Sequence, residues 1–163
     1  MSRVLRRGFS QCLGFFFLNN THTPHIRHWL ALVRIPGAGP LTVQRLLSHF
    51  PIDEIFSASR ASLSGIGLNE KLIDALQSPP WALVEQDLQW LEAPENHALS
   101  LDHPAYPALL KEIADPPPVV FVKGKPELLA QPQIGMVGSR NPSTVGAKTA
   151  MEFAQALAAA GYA

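Results

Sequence analysis

Apolar residues recur at helical spacing through the first half of the chain. Ile26, Trp29, Leu30 and Val33 fall at i, i+3, i+4 and i+7, which lines one side of a helix. Pro36-Gly37-Ala38-Gly39 breaks the stripe. Pro40 then suits the first turn of a second helix, where its missing N–H costs nothing, and Val43, Leu46, Leu47 and Phe50 repeat the stripe. Beyond Pro51, Ile52, Ile55 and Phe56 open another helical stretch, Ser64-Gly65-Ile66-Gly67 repeats the glycine turn, and Leu72, Ile73 and Leu76 line the helix after it. Two such hairpins in tandem predict a compact helical domain over residues 26–78. Ser78-Pro79-Pro80 reads as its linker, and Trp81, Val84, Leu88 and Leu91 mark a connecting helix within 79–96, closed by Pro94. On that helix Glu85 and Asp87 read as a solvated face.

After Pro94 the period shortens. Ala98-Leu99-Ser100-Leu101 reads as a strand, and Val119-Val120-Phe121-Val122, between Pro118 and Gly124, has the profile of a strand buried on both faces. Ile134-Gly135-Met136-Val137 predicts another strand, and the stretch from Pro126 to Ala130 has room for a helical turn. From Thr144 to Ala160, Ala147, Ala150, Met151, Ala154, Leu157 and Ala158 share a helical face, with Gly161 placed as the cap. Strand, glycine turn and helix in that order predict the opening of a doubly wound α/β sheet over residues 97–163. The class expected for the whole chain is therefore α+β passing into α/β.

The 163 residues, 47% of them hydrophobic, are enough for one ordinary domain or two small ones with packed cores. Formal net charge is zero. Arg3, Arg6, Arg7 and Arg27 precede the first acidic residue, Asp53, so the rest is mildly acidic. Any nucleic-acid contact must then come from a few placed groups rather than a basic field. Cys12 is the single cysteine, which excludes an internal disulfide and a Cys-based zinc site and fits a reducing cytoplasm. His22, His25 and His28 have no nearby carboxylate in sequence to complete a metal shell, so neither metal nor cofactor is expected. Residues 1–25 pair three arginines with the apolar run Cys12 to Leu18, which is too short to span a bilayer and is followed by no small-x-small pattern. They read as a disordered tail or a misassigned start rather than a membrane anchor.

Two places carry candidate chemistry. At the hairpin turns, Gly37, Gly39, Gly65 and Gly67 would let a phosphate approach backbone N–H groups at the next helix start, where the dipole also favours an anion. Arg45 and Lys71 are the only cations within reach of those turns in sequence. The alternative is a helical scaffold or protein-docking module, since backbone affinity scales with phosphates neutralised. The second place is Gly138-Ser139-Arg140, expected at the carboxyl edge of a sheet, with Ser143 or Thr144 capping the helix that follows. An Arg beside helix-start N–H groups can hold a phosphate by charge-assisted bonds. The plainer alternative is a βα turn with a solvated arginine, and the dinucleotide Gly-x-Gly-x-x-Gly pattern is not matched. Asp53 with Glu54 read as helix-start residues rather than an acid–base pair.

Tyr106-Pro107-x-x-Leu110, Ile113-x-Asp115-x-Pro117-Pro118, the run Val119 to Val122 closed by Lys123-Gly124, then Met136-Val137-Gly138-Ser139-Arg140 and Gly146 with its alanine-rich helix follow one another in order. This string resembles the opening of the Rossmann-like domain of the DNA-processing protein A (DprA/Smf) family. In that family a helix-hairpin-helix (SAM-like) domain often comes first, as residues 26–78 look. The resemblance implies a non-enzymatic cytoplasmic protein of natural transformation that binds single-stranded DNA, dimerises in its full-length form and helps load a RecA-type recombinase. It implies DNA-phosphate binding by Gly138, Ser139 and Arg140, beside Ser143, and an incomplete parallel sheet, because the family's later Gly-Gly-Ala, Gly-Ile-Asp and His-containing segment lies beyond this sequence. A nucleotide phosphoribohydrolase of the cytokinin-activating kind, whose early glycine turns look similar, and a pure interaction module are the other readings.

Overall fold

A computed structural model describes residues 24–163; the predicted tail 1–25, with Cys12 and His22, lies almost wholly outside the described residues. Five helices come first: α1 (Pro24–Arg34), α2 (Pro40–Leu47), α3 (Arg60–Gly65), α4 (Glu70–Gln77) and α5 (Trp81–Leu91), with a 3-10 turn at Ile52–Ser57 between α2 and α3. Strand β1 (Asn96–Ser100), the short helix α6 (Ala108–Lys111), strand β2 (Val119–Lys123), a 3-10 turn (Pro126–Ala130) and helix α7 (Thr144–Ala159) complete the order.

The apolar stripes become the core. Ile26, Trp29 and Leu30 of α1, Val43 and Leu46 of α2, Leu72, Ile73 and Leu76 of α4, and Val84 and Leu91 of α5 are all buried. Full burial of an aliphatic side chain of this size is worth about 1.5–3 kcal/mol. Helix α1 is sunk more deeply than its stripe predicts: Ala31 and Leu32 are also buried, as is Ile35 just after its end, while Val33 is exposed. The same hydrophobic cluster takes in Ala98 of β1 and Val119 of β2, so the strands rest on the helices.

Both glycine turns are helix, turn, helix, with the two glycines of each doing different work. Gly37 and Gly67 have φ of 87° and 81°, the left-handed region that glycine alone enters without strain. Gly67 N–H bonds Ser64 O and Leu68 N–H bonds Leu63 O, closing α3 in a Schellman turn. Gly39 is instead the extended residue before α2, and Gly65 is the last residue of α3. Asn69 then caps α4 by accepting the Leu72 N–H.

The sheet departs from expectation. It has two strands, antiparallel, pairing Asn96 with Lys123 through Ser100 with Val119. No parallel neighbour is present among the described residues. The expected strand Ile134–Val137 is irregular chain, with Val137 fully exposed and Ile134 and Met136 about half exposed. A strand of parallel type holds only when flanked and covered on both faces; here Ile134 N–H finds the carbonyl of Ala163 and Ala163 N–H that of Pro132. Nor is β2 buried on both faces, since Phe121 is 41% exposed. Between the strands, the buried Tyr106 donates its hydroxyl to Pro117 O at 2.8 Å, clasping the excursion through α6.

Asp87 corrects a second expectation. It is 8% exposed and receives Nε and Nη2 of Arg34, tying α5 to α1. It lies between Val84 and Leu91 on the buried stripe of α5, not on the solvated face with Glu85. Glu85 does stay exposed, paired with Arg27 at 2.5 Å.

Candidate nucleic-acid interface

Phosphate recognition needs a cation that is not already neutralised. Arg27, Arg34, Arg60, Lys123 and Lys148 are each held by a carboxylate: Glu85, Asp87, Glu70 with Asp74, Glu95 and Glu152 respectively. Among the described residues, Arg45, Lys71 and Arg140 pair with none, and all three are exposed. Lys125 is likewise unpaired, and Lys111 sits 5.5 Å from the Tyr106 ring centroid. The three sequence candidates are thus chemically available, a property that spacing did not reveal.

The 138–146 segment is built by short-range bonds. Ser139 Oγ accepts the Asn141 N–H at 3.2 Å and also lies 3.2 Å from the Asn141 carbonyl oxygen, a bond its hydroxyl can donate. Ser143 is the residue before α7, extended at φ −66° and ψ 159°, and its Oγ accepts the Gly146 N–H at 3.1 Å. Arg140 is the middle residue of the first of these turns and is exposed. Gly138 has open space where a side chain would stand, which leaves its backbone approachable. Gly146 does not: a Cβ there would lie 3.3 Å from Ser143 Oγ and 4.0 Å from Pro142 Cβ. Asn141 and Gly146 take part in these turns through their backbone N–H groups. Helix α7 itself buries no residue, and its far end closes on Gly161 at φ 90°, with Tyr162 N–H bonding Leu157 O.

In the helical region, residues of separate hairpins meet. The Arg45 guanidinium of α2 reaches the α3–α4 turn, its Nη1 3.7 Å from where a Cβ of Gly67 would be. Lys71 lies in the first turn of α4, whose leading N–H groups follow that glycine. Gly37, Gly39 and Gly65 have no neighbour within 4 Å of a built Cβ. None of these residues is brought to Arg140 by a hydrogen bond or ion pair.

His25 and His28, expected to lack acids, find them across the fold. His25 Nε2 is 2.5 Å from Asp102 Oδ2 and its Nδ1 is 3.7 Å from Asp53 Oδ1, which His28 Nδ1 reaches at 3.0 Å. Burial raises the Asp102 carboxyl, but hydrogen bonds from Ser100 and His25 and the His25 charge outweigh it, leaving Asp102 below its ordinary value. The His25 ring nitrogens point at different carboxylates, so the cluster has no common centre, and no metal-holding group occurs among the described residues. No helix among them is long and apolar enough to cross a membrane.

Helical hairpins followed by a small α+β portion define the architecture, and comparison with known proteins supplies the family. Residues 97–163 match the family described as DNA recombination-mediator protein A. Over 146 residues the chain is 32% identical to Protein Smf of Synechocystis sp., covering 83% of this chain and 36% of that protein. It is 33% identical over 99 residues to Protein Smf of Escherichia coli (61% of this chain, 26% of that one). Against DNA processing protein DprA of Bacillus subtilis it is 40% identical over 58 residues (35% and 20%). No solved structure matches. The chain belongs to the DprA/Smf family. It spans about a third or less of the length of these relatives.

Proposed function

We propose that this chain binds single-stranded DNA through its sugar-phosphate backbone and serves as part of a cytoplasmic recombination mediator that helps place a RecA-type recombinase on incoming DNA. The observation that carries the reading is Arg140: an exposed guanidinium without an acidic partner, next to a capped helix start, inside the family-matched region. Arg140 neutralises one phosphate while amide groups of the 138–145 backbone orient it. Such a contact ignores base identity and weakens with salt. Gly37, Gly39, Arg45, Gly65, Gly67 and Lys71 supply a second, weaker backbone contact. The reading needs no metal or organic cofactor and no catalytic step, and the dimer belongs to the longer form of the protein.

The test is anisotropy of a fluorescent oligothymidylate titrated with the chain from low to moderate NaCl, comparing wild type with Arg140→Ala. Loss of one phosphate contact makes the logarithmic salt slope shallower by about 0.7. An unchanged affinity and slope removes Arg140 from the interface, and a wild-type chain that does not bind refutes the reading.

A further inference from the structure

An open cleft of about 290 Å³ lies where the helices meet the chain leaving β1. Trp29 of α1, Leu47 at the end of α2, Phe50 and Ile52 beyond it, and Leu101 just past β1 give it apolar walls. Asp102 is the one ionisable residue that lines it. Clefts that enclose a free small molecule run from about 300 to 1,000 Å³. This one is smaller and wide-mouthed, so it suits a single side chain carried on a larger body. None of its residues is among those assigned to DNA contact.

The polar groups of the cleft are in conflict. His25 Nε2 lies 2.5 Å from Asp102 Oδ2 and 3.2 Å from Trp29 Nε1, and an indole N–H can only donate. A ring nitrogen has one position for a bond: with a proton it donates to Asp102, and without one it accepts from Trp29. The indole N–H and the carboxylate oxygen therefore cannot both be served by His25. Ser100 bonds the other oxygen, Oδ1, at 2.6 Å. A cation brought to Oδ2 from outside removes the conflict, because it leaves the His25 nitrogen bare for Trp29. A purely apolar occupant would instead strip water from the carboxylate and give nothing back, and an anion would be repelled.

We infer that this cleft docks a segment of a partner protein that offers one apolar side chain next to a lysine or arginine, with the cation on Asp102 and the apolar group between Leu47, Phe50 and Leu101. Nuclear magnetic resonance of the Trp29 indole N–H in the full chain tests it, with acetyl-Phe-Lys-amide as probe. The peptide shifts this resonance saturably, in the millimolar range that suits a single side chain. Acetyl-Phe-Glu-amide binds about tenfold more weakly or not at all, and acetyl-Gly-Lys-amide does not saturate the site. Asp102→Asn, which keeps the shape and removes the charge, makes the Lys and Glu peptides bind alike. Pro51→Lys, at an exposed lining position, puts a resident cation in the cleft and weakens the Lys peptide without a change of fold. The inference is overturned if acetyl-Phe-Lys-amide gives no saturable shift, or if the Glu peptide matches it on the unaltered chain. A shift produced by concentrating the protein alone would put a second copy in the cleft, and one produced by deleting residues 1–23 would put the chain's own start there; either result overturns the partner assignment.

Discussion

The Arg34–Asp87 pair sets up an asymmetry that stability measurements can read. Asp87 has a side chain 10% exposed, whereas Arg34 is 41% exposed. Two charge-assisted bonds join them, Nε to Oδ2 at 2.8 Å and Nη2 to Oδ1, and the bond to Asp87 raises the Arg34 pKa above its usual value despite partial burial. Replacing Arg34 by Met keeps the aliphatic stem but leaves a carboxylate among Val84 and Leu91 without a partner. Breaking a fully buried pair costs about 3–5 kcal/mol. Water on the open side reduces that, so Arg34→Met should destabilise by about 2–3 kcal/mol. Asp87→Leu leaves a guanidinium that rehydrates in place, and its cost should stay near or below about 1 kcal/mol. The double variant should recover most of the loss of Arg34→Met. Urea unfolding followed by tryptophan fluorescence suits the measurement, because Trp29 is 2% exposed in the same core, and a common m-value establishes that the same transition is compared. An Arg34→Met loss under about 0.5 kcal/mol, or Asp87→Leu the more damaging of the two, refutes the reasoning.

Other expectations concern the turns and the seam. Gly67→Ala forces a side chain to φ 81° and should cost about 1–2 kcal/mol in thermal or urea unfolding; Gly65→Ala, at the end of α3 with open space around it, should be neutral or stabilising by up to about 1 kcal/mol. A Gly67→Ala protein as stable as wild type would contradict the assigned turn. Asp102 has a lowered folded-state pKa, so its stabilisation is present above the ordinary carboxylate range and lost as pH falls through the folded value. Asp102→Asn should therefore lose about 0.5–1 kcal/mol at neutral pH, given a side chain 47% exposed, and match wild type in acid. A difference that is constant with pH would show the carboxylate charge to be irrelevant. Arg45→Ala should weaken oligonucleotide binding less than Arg140→Ala and flatten the salt slope modestly; equal binding would remove the helical hairpins from the interface.

Helix positions were legible where the signal was periodic and local. Val43 and Leu46, Leu72 and Leu76, and Val84 and Leu91 are buried where their spacing put them, and Pro40 opens α2 as its ring geometry favours. Gly161 and Ser143 also cap α7 as their residue types suggested. What was not legible depends on partners distant in sequence. Ile134 to Val137 has strand composition, but composition cannot supply the neighbours a parallel strand requires. The charge of Asp87 suggests a solvated face, but its place on the stripe of Val84 and Leu91 decides its burial. The approach of Arg45 to Gly67 joins two hairpins and leaves no trace in either one alone. His25 and His28 have no acid near them in sequence, and their carboxylates come from residues 53 and 102. Which cations stay free of acids is likewise a property of the folded chain.

Helix α7 is closed at its start by the Ser143 hydroxyl and at its finish by the left-handed Gly161, and alanine makes up much of its length. Both ends of its sixteen residues are therefore satisfied by local bonds. Val145, Met151 and Phe153 stand exposed along it, so covering them would remove apolar area from water without unmaking either cap.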